Sequence, residues 1–271
     1  MATLKLLLVL LWLGVTTSSK VDLQKRIIGG KPCEPNERLY HVLLVINQRF
    51  CGGSLIRNGW ILTAAHCWEN GRAIDAYLGW NLGNGVPTKI TKTPKTYKDG
   101  SLFKKRTHDL MLLKLPDTAA IPNGVRPIEL PDCQNQPDLD NAMQIAGLAS
   151  TSGSFFTSRQ PGYTPDLQCV NINKVSCTRL REQQLSENSW YSYQHWFCGQ
   201  TPGVDACFGD SGGGVEYRGR LYGIITFTGD PVHPCRKPMG FMDLCHQDYR
   251  SWIEKTTGLI YDQVYNQGYN V

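Results

Sequence analysis

The feature that most constrains the fold is a succession of short apolar runs separated by glycine, proline and asparagine. Runs of this length are typical of β-strands, and turn residues between them favour an all-β sandwich or barrel. Residues 248–257 instead place apolar side chains on one helical face. The proline-rich residues 116–137 predict the crossing between two halves of the chain. The predicted strands cover residues 41–47, 52–56, 60–65, 110–115, 143–146, 167–172, 214–217 and 221–227.

Ten cysteines among 271 residues indicate an oxidising compartment. The number is even, which predicts five disulfide bonds, although the count alone does not exclude zinc. The sequence has no Cys-x-x-Cys pair, which disfavours a structural zinc site. With 41% hydrophobic and 19% charged residues, the chain can bury a core, and this composition excludes disorder. The net charge of +5 is modest, and we expect no nucleic-acid partner.

The amino terminus has the layout of a secretory signal peptide. Lys5 precedes an apolar run over residues 6–13, and small polar residues follow at 16–19. The run is too short to span a bilayer, and no other stretch is apolar enough, so we expect no membrane association. The sequence therefore predicts a secreted, extracellular protein with a signal peptide at residues 1–19.

Three segments carry the residue types that hydrolysis of an amide or ester requires. His66 lies in Leu-Thr-Ala-Ala-His-Cys, Asp109 precedes an apolar strand, and Ser211 lies in Gly-Asp-Ser-Gly-Gly. Such a reaction needs a nucleophile, a base that takes its proton, and an acid that holds the base in one tautomer. The glycines around Ser211 let the amides of Gly209 and Ser211 point at a developing oxyanion. Each segment alone is weak evidence, but together they predict a hydrolase.

With these segments the chain resembles the chymotrypsin-like, or trypsin-type, serine proteases over about residues 27–257. The order His, Asp, Ser is the one that this family uses. The resemblance implies an all-β fold of two six-stranded antiparallel β-barrels with a C-terminal helix. The polar residues 258–271 beyond it are expected to form a tail. The resemblance also implies that His66 is the general base, Asp109 its orienting carboxylate and Ser211 the nucleophile. Protein or peptide substrates, a monomeric state, no cofactor and no metal are expected.

The start of the predicted domain resembles the zymogen junction of the family. Gln-Lys-Arg at residues 24–26 precedes Ile-Ile-Gly-Gly. Cleavage after Arg26 would free an Ile27 ammonium, and the resemblance gives Asp210 as its partner. A buried pair of this kind is costly unless it is well formed, so it can act as a switch that orders the oxyanion loop. We therefore expect a propeptide at residues 20–26 and another, Arg-cleaving protease as the activator.

The resemblance also assigns every cysteine to a pair. One bridge that is common in trypsins is absent as a whole, because its two positions are Met143 and Tyr217. The loss of both partners leaves no odd thiol. The implied pairs are Cys33–Cys169, Cys51–Cys67, Cys133–Cys245, Cys177–Cys198 and Cys207–Cys235.

The position six residues before Ser211 predicts the primary specificity of the protease. It is Asp205, and in trypsin-like members this position forms the floor of the pocket. A carboxylate at the bottom of a narrow pocket pairs with Arg or Lys and rejects apolar side chains. The first expectation is therefore cleavage after Arg or Lys.

The walls of that pocket depart from the family pattern. The pocket strand that usually has the sequence Ser-Trp-Gly is Thr226, Phe227 and Thr228 here, so Thr228 replaces a glycine. On the opposite wall, another glycine of the family aligns with Met239. Gly240 would take that place if the alignment slipped by one residue. Two bulky wall residues would fill much of the pocket and bury its carboxylate. Two alternatives therefore stay open: an active protease with non-tryptic specificity, and a non-catalytic homologue that acts as a binding protein.

A basic stretch lies between these motifs. Residues 76–106 contain seven basic residues against one acidic residue, Asp99. Loops here can bind anions in related enzymes, so residues 89–106 could contact an acidic partner; the alternative is a simply solvated loop. The stretch has almost no carboxylates, so the calcium loop of many trypsins is not expected. The basic residues are Lys89, Lys92, Lys95, Lys98, Lys104, Lys105 and Arg106.

Overall fold

The computed structural model is mostly β-structure. The predicted signal peptide, the propeptide, Gly209, the Cys207–Cys235 pair and the tail beyond residue 261 lie outside the described residues. The structure describes residues 27–47, 49–83, 85–101, 104–149, 163–178, 180–182, 192–206, 210–228, 230 and 236–261.

Each predicted apolar run falls on a strand, and nearly all side chains of these runs are buried. Short 3-10 turns lie at Arg57–Gly59, Ala65–Cys67 and Trp80–Leu82. The strands are β1 Lys31–Pro32, β2 His41–Ile46, β3 Arg49–Ile56, β4 Trp60–Thr63, β5 Ile74–Leu78, β6 Val86–Ile90, β7 Lys95–Ser101, β8 Lys104–Lys114, β9 Ala142–Ala149, β10 Tyr163–Val175, β11 Trp196–Gln200, β12 Gly214–Tyr217, β13 Arg220–Phe227 and β14 Met239–Asp243.

The first sheet has seven strands in the order β6-β5-β2-β3-β4-β8-β7. It curls into a half-barrel, and within the described residues no ladder joins its edge strands β6 and β7. Pro87 on β6 lacks a backbone donor, which suits an edge strand. The predicted all-β fold is confirmed, but this half differs from a closed six-stranded barrel.

The second sheet closes on itself. Six strands follow the order β10-β11-β14-β13-β12-β9, the pairing of β9 with β10 completes the ring, and β1 adds to β10. The interior is apolar and includes Met143, which is fully buried at one position of the missing bridge. The half that carries the predicted nucleophile and pocket is therefore a closed barrel.

The C-terminal helix runs over Gln247–Thr257, one residue longer than predicted. The side chain of His246 accepts a hydrogen bond from the Asp248 amide at the first turn, and Gly258 ends the helix with a φ of 72°. Tyr249 and Ile253 are fully buried and pack with the core of the first sheet. No helix of the described chain is long and apolar enough to cross a membrane.

Within the described residues, four disulfide bonds and the buried ion pair of Arg38 with Glu216 connect distant parts of the chain. The guanidinium of Arg38, which precedes β2, pairs with Glu216 on β12 and donates to Gln144 Oε1 on β9 at 2.6 Å. These contacts tie the two sheets together on one side. The disulfide bonds are Cys33–Cys169, Cys51–Cys67, Cys133–Cys245 and Cys177–Cys198, all among the pairs that the resemblance implies.

Candidate active site

The segment that holds Ser211 contacts the first sheet directly. The Ser211 carbonyl accepts a hydrogen bond from the Gly52 amide on β3 at 2.8 Å, and the Cys67 sulfur lies 3.7 Å from the same oxygen. Gly212 has a φ of 83°, and a Cβ there would overlap with the Thr63 hydroxyl. Only glycine fits this close approach, which brings Ser211 beside the turn that carries His66.

His66 lies on the 3-10 turn Ala65–Cys67, directly after β4. Its backbone N–H donates to Asp109 Oδ1 at 2.8 Å, and its Nδ1 lies 2.8 Å from Asp109 Oδ2. The carboxylate therefore holds the proton on Nδ1 and leaves Nε2 as the basic nitrogen. The imidazole remains about one-third exposed (34%), whereas the Asp109 side chain is fully buried.

Asp109 is fixed by β8, which pairs with β4 through Thr63 and Met111. The Thr226 hydroxyl donates a further hydrogen bond to Asp109 Oδ2. The Asp109 amide donates to Gln194 Oε1 at 2.6 Å, and Gln194 is only 2% exposed. The hydrogen bonds to the carboxylate are charge-assisted and hold it in one orientation, whereas Gln194 fixes the Asp109 backbone.

The contacts of Asp109 with Thr226 and with Gln194 were not predicted from the sequence. The motif comparison places Thr226 in a pocket wall, but its hydroxyl contacts the Asp109 carboxylate. Sequence reasoning did not find Gln194, which is 85 positions from Asp109 and lies in no recognisable motif. No local signal could have found it, because only the tertiary fold brings the two segments together.

The environment of His66 favours its protonated form. Burial lowers the pKa of the imidazole, but the negative charge of Asp109 and its hydrogen bond outweigh that effect and raise the pKa overall. An imidazole that readily takes a proton suits general-base chemistry.

The predicted pocket floor and one wall meet in the second barrel. Asp205 and Met239 are each 1% exposed. The Met239 sulfur accepts a hydrogen bond from the Ala206 amide at 3.0 Å, so the thioether lies against the backbone next to Asp205. Met239 begins β14 opposite Gly199, and a Cβ on Gly240 would overlap with the Phe227 ring. The side chain beside the floor is therefore that of Met239.

Thr228, the remaining predicted wall residue, follows β13 and is half-buried. Phe227, which precedes it, packs edge-on against Trp196, with ring centroids 5.4 Å apart. Aromatic packing thus fixes the end of the wall strand.

The residues at the predicted activation junction lie beside the same pocket. Ile27 and Asp210 are both fully buried. Ile28 pairs with Asp205 through two backbone hydrogen bonds of 3.1 and 3.2 Å. The Asp210 carboxylate packs against Gly147, where a Cβ would overlap with it. Arg26 lies outside the described residues.

A cleft of about 400 Å³ extends from His66. Trp68 lines one side of it, and Thr96, Lys98 and Thr107 on the β7–β8 hairpin line the other. The hairpin belongs to the basic stretch, so the cleft carries positive charge close to His66. Arg106 on this hairpin forms a two-pronged ion pair with Asp99 at 2.6 and 2.8 Å.

Comparisons with known proteins agree with this geometry. Residues 27–253 match the family model described as Trypsin. The chain is 30% identical to human kallikrein-7 over 93% of this chain and 96% of that protein. It is 30% identical to the anionic trypsin of Canis lupus familiaris over 92% and 97% of the two chains. Rattus norvegicus kallikrein-8 is 28% identical over 91% of each chain.

Proposed function

Because the chain belongs to the trypsin family and is a serine endopeptidase, we propose that Ser211, His66 and Asp109 are its catalytic triad. The observation that carries this proposal is the contact of 2.8 Å between His66 Nδ1 and the buried Asp109 carboxylate. The contact orients the imidazole beside the turn that holds Ser211. The non-catalytic alternative would not require this arrangement.

The proposed reaction begins when the Ser211 hydroxyl attacks the carbonyl carbon of the scissile peptide bond. His66 Nε2 takes the hydroxyl proton, and Asp109 stabilises the imidazolium that forms. The amides of Gly209 and Ser211 donate to the oxyanion. His66 then gives its proton to the leaving amine, and water hydrolyses the acyl-enzyme by the same steps in reverse.

We also propose that the protein is secreted as a zymogen and that another, Arg-cleaving protease activates it after Arg26. The freed Ile27 ammonium would pair with the Asp210 carboxylate. The burial of both residues supports this proposal, and so does the pairing of Ile28 with the Asp205 segment. A new charge buried on this side of the barrel requires a partner of opposite sign.

For specificity, the leading candidate is cleavage after Arg or Lys, because Asp205 lies at the predicted pocket floor. A specific observation favours a second candidate, a preference for smaller or uncharged residues. The Met239 thioether contacts the backbone next to Asp205, where it would compete with a long basic side chain for space. Because the Met239 side chain is flexible and unbranched, a substrate could displace it. The displacement would cost the packing contacts of the buried thioether.

The basic hairpin supplies a further element of the proposal. The basic residues of β7 and β8 would contact an acidic segment of a substrate or an acidic partner, because Lys98 among them lines the cleft that contains His66. We propose that the enzyme works as a monomer on protein substrates.

The test is to activate the chain with an Arg-specific protease and to measure turnover of peptides with Arg, Lys, aromatic or small residues before the cut. Cleavage of at least one class is expected, and Ser211→Ala is the matched control. An Arg26→Gln chain should stay inactive under the same treatment. The proposal fails if the activated wild type cleaves none of the peptides.

A further inference from the structure

Two histidines and one aspartate meet outside the catalytic site. His195 directly precedes β11, His246 caps the C-terminal helix, and Asp248 lies in its first turn. The two imidazole rings stack with centroids 3.4 Å apart and an angle of 5° between their planes. His246 Nδ1 lies 3.9 Å from Asp248 Oδ2. One potential ligand atom from each of the three side chains lies within 4.8 Å of the other two.

We propose that His195, His246 and Asp248 bind a divalent transition-metal ion of the zinc class. Two nitrogens bound to tetrahedral zinc at about 2.0–2.1 Å are roughly 3.3 Å apart. One donor atom of each side chain lies within 4.8 Å of the other two, but in the nearly parallel stack the nitrogen lone pairs do not converge. Binding would require both imidazoles to turn out of the stack and the exposed Asp248 side chain to rotate toward them. The three side chains would supply two nitrogens and one oxygen, and water would take the fourth position.

The donor set can be freed for such an ion, because the His246 Nδ1 contact with the Asp248 amide is long, at 3.4 Å, and would be exchanged for the ion. Within the described part of the chain, neither ring nitrogen of His195 has a hydrogen-bond partner. Two other groupings of metal-ligating residue types occur there, but each depends on cysteines that are oxidised in Cys33–Cys169 or Cys51–Cys67. The expectation of no metal came from motifs and carboxylate counts, and neither detects histidines that are 51 positions apart in the sequence.

The electrostatic setting also supports a cation. The first turn of a helix carries partial positive charge, which by itself would repel a metal ion. The carboxylate of Asp248 lies in that turn and offsets this charge. An ion held by one carboxylate and two neutral imidazoles is a common arrangement for zinc.

The position of the cluster defines what a bound ion would do. The His195 amide donates to the Tyr249 hydroxyl at 3.0 Å, and that hydroxyl lies 2.6 Å from His108 Nδ1. Gln194, the neighbour of His195, accepts the hydrogen bond from the Asp109 amide. The ion would therefore clamp the segment behind Asp109 to the helix. We expect it to raise the melting temperature.

The experiment titrates the Ser211→Ala protein with zinc chloride alone in a calorimeter and measures the melting temperature with and without zinc. The expected result is one ion per chain and a higher melting temperature. His195→Asn and His246→Asn should each bind zinc at least tenfold more weakly, and Asn at position 246 still offers a capping oxygen. His66→Asn is the matched control and should bind zinc like its parent.

Absence of zinc binding would overturn the proposal. So would unchanged affinity in the His195→Asn or His246→Asn protein, or loss of binding in the His66→Asn protein, which would move the ion to the catalytic histidine. A second measurement covers the case in which a variant does not fold. Cobalt(II) added to the Ser211→Ala protein should give the strong visible absorption of a four-coordinate ion, and the weak spectrum of aqueous cobalt would contradict the site.

Discussion

Asp109 and Asp205 are both buried carboxylates, but their surroundings differ. Asp109 accepts hydrogen bonds from the amide and imidazole of His66 and from the Thr226 hydroxyl. Next to Asp205, the neighbouring amide donates instead to the sulfur of Met239. The first region has the polar contacts that orient a base, whereas the second has an apolar side chain where a substrate would enter. The difference teaches that the proposed catalytic machinery and the specificity pocket can vary independently.

The largest expected effect is the loss of activity in the Ser211→Ala protein, which changes the catalytic region and leaves the specificity pocket intact. Ser211→Ala should lower kcat by about 10⁴-fold or more, because it removes the nucleophile. The melting temperature should stay within a degree or two, since the hydroxyl is not part of the core. Steady-state kinetics on the best peptide substrate check this, and a variant that keeps a tenth of wild-type activity would contradict the assignment.

Asp109→Asn should cost about 10⁴-fold in kcat, because an amide no longer stabilises the imidazolium or fixes its tautomer. The same change should lower the pKa of His66, which the carboxylate raises in the native protein. NMR titration of His66 in the inactive Ser211→Ala background measures that pKa directly. An unchanged pKa would mean that the contact of 2.8 Å does not govern the imidazole.

Met239→Gly tests the pocket region. It should raise kcat/KM for Arg substrates relative to Ala substrates by about tenfold or more, because it opens space beside Asp205. It should also destabilise the protein by about 2–5 kcal/mol through the cavity it leaves. Met143→Gly is the matched control, since Met143 is fully buried in the same barrel core. The control should lose stability without a change in the substrate ratio.

Thr226→Val should lower kcat/KM by roughly tenfold, because a lost hydrogen bond to a charged group costs about 1.5–3 kcal/mol. Thr226→Ser keeps the hydroxyl and should restore most of the activity. If Val and Ser behave alike, the hydroxyl has no part in holding Asp109. The Arg-to-Ala substrate ratio should change less than it does with Met239→Gly.

The smallest expected effect is a shift in the pH at which kcat/KM reaches half of its maximum on the acid side of the pH–rate profile. The base must be neutral, so activity should rise with pH through the pKa of His66. Because Asp109 raises that pKa, the midpoint in kcat/KM should lie above the ordinary value of 6.5. Met239→Gly should leave the midpoint in place, since Met239 contacts Ala206 rather than the imidazole. A midpoint below 6.5 in the wild type would contradict the proposed role.

The sequence predicted those parts of the molecule that local motifs determine. The positions of His66, Asp109 and Ser211 come from contiguous segments, and the strands come from short apolar runs. Gln194 was not predictable, because its contact with Asp109 depends on the tertiary fold. The choice between Met239 and Gly240 required the register of β14 against β11. In the first sheet, β5, β6 and β7 were not predicted; β7, for example, is a polar strand with Lys95 and Lys98 and gives no apolar run.

The central claim is that the triad is intact although the specificity pocket is altered. The most direct test uses a reagent that reacts with the catalytic serine without occupying the specificity pocket. A small organophosphate is added to the chain after cleavage at Arg26, and mass spectrometry counts the adducts. We predict one adduct per chain, located on Ser211, and none on the His66→Asn protein. A fully cleaved wild-type chain that stays unlabelled would contradict the account, whatever its activity on peptides.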